Sequence, residues 1–188
     1  MSDASGPPAG TGRQPGDPTR EELFARMIRV DHAGEYGARR IYDGQLAVLG
    51  RSPAGASIRR MAAQEQRHLE VFDRLVVGRR VRPTLLSPLW HVAGFALGAG
   101  SAILGESAAM ACTEAVEEVI DEHYGRQLAA LGGEEPELKA TIAEFRADEI
   151  EHRDTARAAG AADAPGYPLL KAAVKAGSRL AIWLSERI

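Results

Sequence analysis

The stretch FRADEIEHRD, residues 145–154, places Glu149 three positions before His152 in what otherwise reads as charged helix. Residues three apart on a helix share a face, so these two side chains can grip one ion together. A second such pair, Glu65 and His68, lies far upstream in AAQEQRHLE at 62–70. A single pair carries little weight in a glutamate-rich chain. Two pairs demand a look at the helices that hold them.

Helical punctuation is frequent and strand signals are nearly absent, which makes the expected fold all-α. Thr19 and Glu22 form a capping-box pattern, and a helix can run from there to Gly50. Ser52-Pro53 then reads as the start of a second helix, with proline at its first position, ending near Gly78. A further helix pair spans about 107–131 and 136–159, separated by the GGEE at 132–135 and closed by Gly160. Two hairpins of long helices suggest a four-helix bundle.

In an antiparallel pair, residues equally far from the turn face each other. The first turn centres near Gly50, so Glu65 should face Glu35; the second centres near Gly133, so Glu149 should face Glu117. Both hairpins then set a lone glutamate opposite a Glu-x-x-His at similar depth. Glu35, Glu65, His68, Glu117, Glu149 and His152 would converge in one core. That ligand set marks ferritin-like di-iron and di-manganese carboxylate bundles. Carboxylate-rich ligation without thiolate suits iron or manganese better than a structural zinc. Cys112 is the one cysteine of the chain, which excludes disulfides and Cys-based zinc sites within a monomer, and it reads as a small buried helix residue.

Neighbouring residues supply the rest of such a site. Asp148 and Gln64 directly precede Glu149 and Glu65, so each can reach the ligand histidine of the opposite hairpin. Tyr42 and Tyr124 lie two turns beyond Glu35 and Glu117 on the same faces, as core aromatics or as substrate or electron-transfer contacts. His123 points off the ligand face, and His32 and His91 lack a Glu-x-x-His partner.

The remaining chain bounds the function. Residues 1–18 are rich in glycine and proline and read as a disordered tail, followed by one domain over 19–188. That tail has neither the apolar core of a secretory signal nor the charge of a transit peptide, so the expected location is a bacterial cytoplasm. With 45% hydrophobic and 26% charged residues and a net charge of −3, nothing indicates nucleic acid. Residues 83–105 contain no Asp, Glu, Lys or Arg and are long enough to span a bilayer. One span would put the two hairpins on opposite sides and break up the six ligands. The segment is therefore expected as a crossover helix on a membrane surface, flanked by Arg79, Arg80 and Arg82. The C-terminal helix, with Lys171, Lys175 and Arg179 along one stripe and Trp183 elsewhere, suits the same interface. Burial of these segments between copies in a homo-oligomer is the alternative.

The motifs RVDHAGEYGA (29–38), EQRHLEVF (65–72), GESAAMACTEAVEEVIDEHY (105–124) and FRADEIEHRD resemble, in order and spacing, the demethoxyubiquinone hydroxylases of ubiquinone biosynthesis. The resemblance covers roughly 20–188 and leaves out the tail; Glu114 stands where an apolar residue is expected. Carried over, the family's iron ligands fall on the same six residues. The resemblance implies hydroxylation of a membrane-resident polyprenyl quinol ring by two iron ions, using O2 and electrons ultimately from NADH. It also implies a peripheral site on the cytoplasmic face of the inner membrane and partner proteins of the pathway. His123 and Tyr124 are implicated by it in electron transfer. No G-x-G-x-x-G follows a strand, so NADH has no Rossmann fingerprint here. A ferroxidase, a peroxide-metabolising protein or a membrane-surface scaffold would share the bundle.

Overall fold

The computed structural model describes residues 17–188, so most of the tail expected over 1–18 lies outside it. Among the described residues there are six α-helices: α1 (Arg20–Leu49), α2 (Gly55–Gly78), α3 (Ser87–Ile103), α4 (Glu106–Leu131), α5 (Pro136–Ala158) and α6 (Tyr167–Ser185). No strand occurs among the described residues. The fold is all-α, consistent with a ferritin-like bundle. The α1/α2 and α4/α5 hairpins form its body, α3 crosses over against α1, and α6 returns along α4.

Local chemistry sets the helix ends. Thr19 and Glu22 cap α1 reciprocally: the Glu22 amide donates to Thr19 Oγ1 at 3.0 Å and the Thr19 amide to Glu22 Oε2 at 2.6 Å. The second helix begins later than Ser52-Pro53 suggests. Amides of Ser52 and Gly55 close successive turns on Leu49 and Ser52, so Pro53 sits in the connection and Ala54 is the cap. Gly105, at φ 116°, lets α3 turn into α4 with only Leu104 beside it.

Two of the three apolar clusters among the described residues fill the bundle at different depths. One gathers Ile28, Phe72, Tyr124, Leu131, Ile142 and Phe145; the other Tyr42, Ile58, Met61, Met110 and Ala156. Phe72 and Phe145 lie one turn after His68 and one turn before Glu149, whereas Met61 and Ala156 lie one turn before Glu65 and one after His152. The polar residues of the bundle centre are thus closed off by hydrocarbon above and below.

The basic stripe of α6 does not face outward as expected. Lys171, Lys175 and Arg179 recur every four residues, and so do Glu114, Glu118 and Glu122 on α4. The two rows meet. Lys171 Nζ lies 2.9 Å from Glu114 Oε1 and 2.7 Å from Glu118 Oε1; Lys175 Nζ is 2.9 Å from Glu118 Oε2, and Arg179 reaches Glu122 at 3.0 Å. Glu114, the residue out of place in the family pattern, is buried and also accepts from Arg157 at 2.7 Å and Tyr167 at 2.8 Å. These ion pairs tie α6 to the bundle, and Lys171 and Lys175 are largely covered by them. Arg79 is likewise engaged, in a two-pronged pair with Glu135.

Burial alone would raise the Glu118 carboxyl, but hydrogen bonds from Lys171 and Lys175 outweigh it and hold the group at about 2. A depressed folded value contributes stability above the unfolded value of roughly 4.3, lost as pH falls towards 2. Glu118→Gln should therefore lower stability by about 1–3 kcal/mol at neutral pH. The deficit should vanish near pH 2, as thermal melts of both proteins against pH would report.

Candidate metal centre

All six predicted residues meet between the two clusters, and each is at most 2% exposed. Their ligand atoms fall into two overlapping groups. Glu35, Glu65, His68 and Glu149 make one; Glu65, Glu117, Glu149 and His152 make the other, with the atoms of each group within 4.8 Å of one another. Glu65 and Glu149 belong to both. The arrangement has a pseudo-twofold logic in which each half owns one glutamate and one histidine and shares two carboxylates.

The histidines are oriented from outside. His68 Nε2 lies 2.9 Å from Asp148 Oδ2, and His152 Nε2 lies 3.2 Å from Gln64 Oε1. A carboxylate and an amide oxygen only accept, so each Nε2 carries its hydrogen and each Nδ1 presents a lone pair. His68 Nδ1 faces Glu149 and Glu35 oxygens at 3.2 and 3.3 Å, and His152 Nδ1 faces Glu65 and Glu149 at 3.1 and 3.3 Å. With the rings neutral, acceptors thus face acceptors, and a proton or a metal ion has to lie between them. Both oxygens of Glu65 and of Glu149 have no hydrogen-bond donor, nor do Glu35 Oε2, Glu117 Oε2 and both Nδ1 atoms. Cations satisfy such a group where hydrogen bonds do not.

Electrostatics point the same way. Burial, then repulsion from Glu149, pushes the Glu65 and Glu117 carboxyls well above the usual range, and burial raises Glu149 too. Burial by itself would lower His68, yet Glu149 and Glu35 outweigh it and lift it to about 11. Burial lowers His152, and Glu35 is lowered because His68 overcomes its burial. Four carboxylates in a dry core attract positive charge, as protons or as metal.

The tyrosines cross over. Tyr42 of α1 donates to Glu117 Oε1 at 2.7 Å, and Tyr124 of α4 donates to Glu35. Each fixes the unshared glutamate of the opposite hairpin. His123 is off the ligand face, as expected, but is buried: its Nε2 lies 3.1 Å from Asp31 Oδ1, which also accepts from Gln127 at 2.7 Å. Sequence reasoning missed Asp31. Its position one turn before Glu35 was the available signal, and burial raises its carboxyl against the pull of His123. His32 pairs with Asp73 and His91 with Tyr36, so neither joins the cluster.

Asp148→Ala should release the His68 tautomer and weaken metal binding by roughly 10–100-fold. Equilibrium titration with ferrous iron against a competing chelator would measure it.

Beside this centre, α1, α3, α4 and α6 line a half-open cavity of about 370 Å³. Its lining is almost wholly apolar and includes Gly34 and Val116, the residues directly before Glu35 and Glu117.

The comparisons with known proteins show the family. The family model described as ubiquinone biosynthesis protein COQ7 matches residues 22–185. The chain belongs to the COQ7 family. A 3-demethoxyubiquinol 3-hydroxylase of Rhodospirillum rubrum is 60% identical over 186 residues, covering 98% of this chain and 88% of the relative. The mouse NADPH-dependent 3-demethoxyubiquinone 3-hydroxylase is 56% identical over 166 residues, 86% of this chain and 76% of that protein. The yeast 5-demethoxyubiquinone hydroxylase is 44% identical over 180 residues, with 87% and 77% covered.

Proposed function

We propose that residues 19–188 act as one hydroxylase unit that adds a hydroxyl to the ring of a demethoxyubiquinol, with two iron ions held by the six-residue cluster. The observation that carries this reading is the pair of overlapping ligand groups sharing Glu65 and Glu149. Glu35 and His68 would hold one iron and Glu117 and His152 the other, with Glu65 and Glu149 offering oxygens to both. Such a pair supplies the activation of O2.

The protein's own contribution is placement and dryness. Asp148 and Gln64 hold the histidines in the metal-binding tautomer, and Tyr42 and Tyr124 pin the terminal carboxylates. The flanking apolar clusters keep bulk water from the ligands. One oxygen atom enters the ring and the other leaves as water, with two electrons and two protons supplied. The reductant is a reduced nicotinamide nucleotide; the sequence resemblance implies NADH, whereas the mouse relative is named for NADPH. Tyr124, hydrogen-bonded to Glu35, and His123 beside it are the residues we assign to electron delivery or substrate contact.

A membrane substrate explains the outer face. Leu85, Leu89, Val92 and Ile103 on and beside α3, with Leu169, Leu180 and Trp183 on α6, are exposed hydrophobics. No helix among the described residues is long and apolar enough to cross a bilayer. The face is suited to lying on a membrane, the cytoplasmic surface of a bacterial inner membrane in this reading. Trp183→Glu should weaken binding to liposomes roughly tenfold. A ferroxidase shares the cluster but has no use for the cavity or this face.

Product analysis tests the proposal. Protein loaded anaerobically with ferrous iron receives a short-tailed demethoxyubiquinone, NADH or NADPH, and oxygen-18 gas. A quinone heavier by one labelled oxygen supports it; iron oxidation with unaltered quinone favours the ferroxidase.

A further inference from the structure

Three glycines, Gly34, Gly37 and Gly177, line the apolar cavity in mid-helix, where glycine weakens a helix relative to alanine. Close packing requires glycine at other positions. A Cβ at Gly98 would overlap the Ile41 carbonyl, one at Gly44 would overlap the Phe95 carbonyl, and one at Gly94 would come within 2.9 Å of the Gly37 carbonyl. At Gly34, Gly37 and Gly177, by contrast, an added Cβ meets nothing within 4 Å. Helix packing therefore gives no reason for glycine at these three sites. What the missing side chains leave is free space inside the cavity.

That space is placed where it matters. Gly34 directly precedes Glu35, and Gly34 and Gly37 sit on one face of α1 with Val30, Ala33, Ala38 and Ile41. Gly177 opens the opposite wall on α6. The lining offers few polar groups, Ser178 and Ser185 among them, and Ser185 Oγ accepts from the Trp90 indole at 3.0 Å. A flat, weakly polar ring carrying an apolar chain fits such a slot better than a charged or hydrated ligand does.

We propose that Gly34, Gly37 and Gly177 are specificity-determining residues: the clearance left by their absent side chains admits the quinone ring and the start of its tail beside the metal ligands. The inference rests on the function proposed above. It also predicts opposite effects on stability and on binding, because an added side chain extends a helix former into empty space while narrowing the slot.

The test reads binding of a demethoxyubiquinone with a two-isoprene tail, without reductant, by quenching of Trp90 fluorescence. Trp90 lines the cavity, and a Trp183→Phe background isolates its signal. Gly37→Leu and Gly34→Leu should weaken binding at least tenfold, and Gly177→Leu should weaken it similarly. The corresponding alanine variants should melt at the same or a higher temperature than the parent and bind less tightly. Gly100→Leu is the control: Gly100 also faces open space on α3 but does not line the cavity, and its affinity should be unchanged. Unchanged affinity in folded Gly34→Leu and Gly37→Leu proteins would overturn the inference while leaving the function standing. Failure of the parent to bind the quinone at all would overturn both.

Discussion

Replacing Glu149 with alanine should empty both metal positions, whereas Glu117→Ala should impair chiefly one. Glu149 offers an oxygen to each ligand group, and Glu117 belongs only to the group containing His152. The loss for Glu149→Ala should exceed the roughly 10–100-fold expected for an outer partner such as Asp148. Both variants should abolish ring hydroxylation and both should remain helical. The removed carboxylates are buried, mutually repelling groups, so truncation relieves charge even as it removes packing. Iron content after anaerobic loading, together with far-ultraviolet circular dichroism, checks both halves. Full iron retention by Glu149→Ala would remove the basis for shared ligation.

Gly98→Ala should be the most destabilising single methyl addition on α3. The new Cβ would overlap the backbone carbonyl of Ile41, and backbone cannot swing aside as a flexible side chain can. Helices α1 and α3 would have to separate, at a cost of about 1–3 kcal/mol or more. In a chain of this size that corresponds to a melting point lower by roughly 5–10 °C. Gly100→Ala, two residues along the same helix, adds its methyl to open space and should stabilise slightly. Paired thermal melts of the two variants separate close packing from helix propensity. The Gly98 contact also fixes the crossover helix, which forms one wall of the cavity.

What the sequence made legible follows from periodicity. Helical spacing places Glu149 with His152, and hairpin symmetry places Glu35 and Glu117, because both depend only on position along an element. Asp148 and Gln64 could be read for the same reason, each being displaced by one residue towards the facing hairpin. Periodicity does not say which way a charged stripe faces. The row of Lys171, Lys175 and Arg179 reads equally well as a lipid-facing surface or as a partner for other charges. Only the matching spacing of Glu114, Glu118 and Glu122 hints at the second. Asp31 was hidden because its partners, His123 and Gln127, come from another helix. The cavity was hidden because a stripe of glycine and alanine looks alike whether neighbouring helices close over it or leave room. The turn at Ser52-Pro53 differed by a few residues because backbone hydrogen bonds to Leu49 and Ser52 extend the connection.

The ion-pair ladder between α4 and α6 also bears on the proposed membrane face. With its basic stripe turned inward, α6 presents Leu169, Leu180 and Trp183 outward. Attachment to lipid would then rest on apolar burial more than on attraction to anionic headgroups. Liposome binding should accordingly depend only weakly on salt.

The most direct measurement is an anaerobic titration of the full chain with ferrous iron, followed by Mössbauer spectroscopy after exposure to oxygen. The account predicts saturation at two irons per chain and a diamagnetic ground state from two ferric ions coupled through shared ligands. Saturation at one iron, or two ferric ions that remain magnetically independent, would contradict a centre bridged by Glu65 and Glu149.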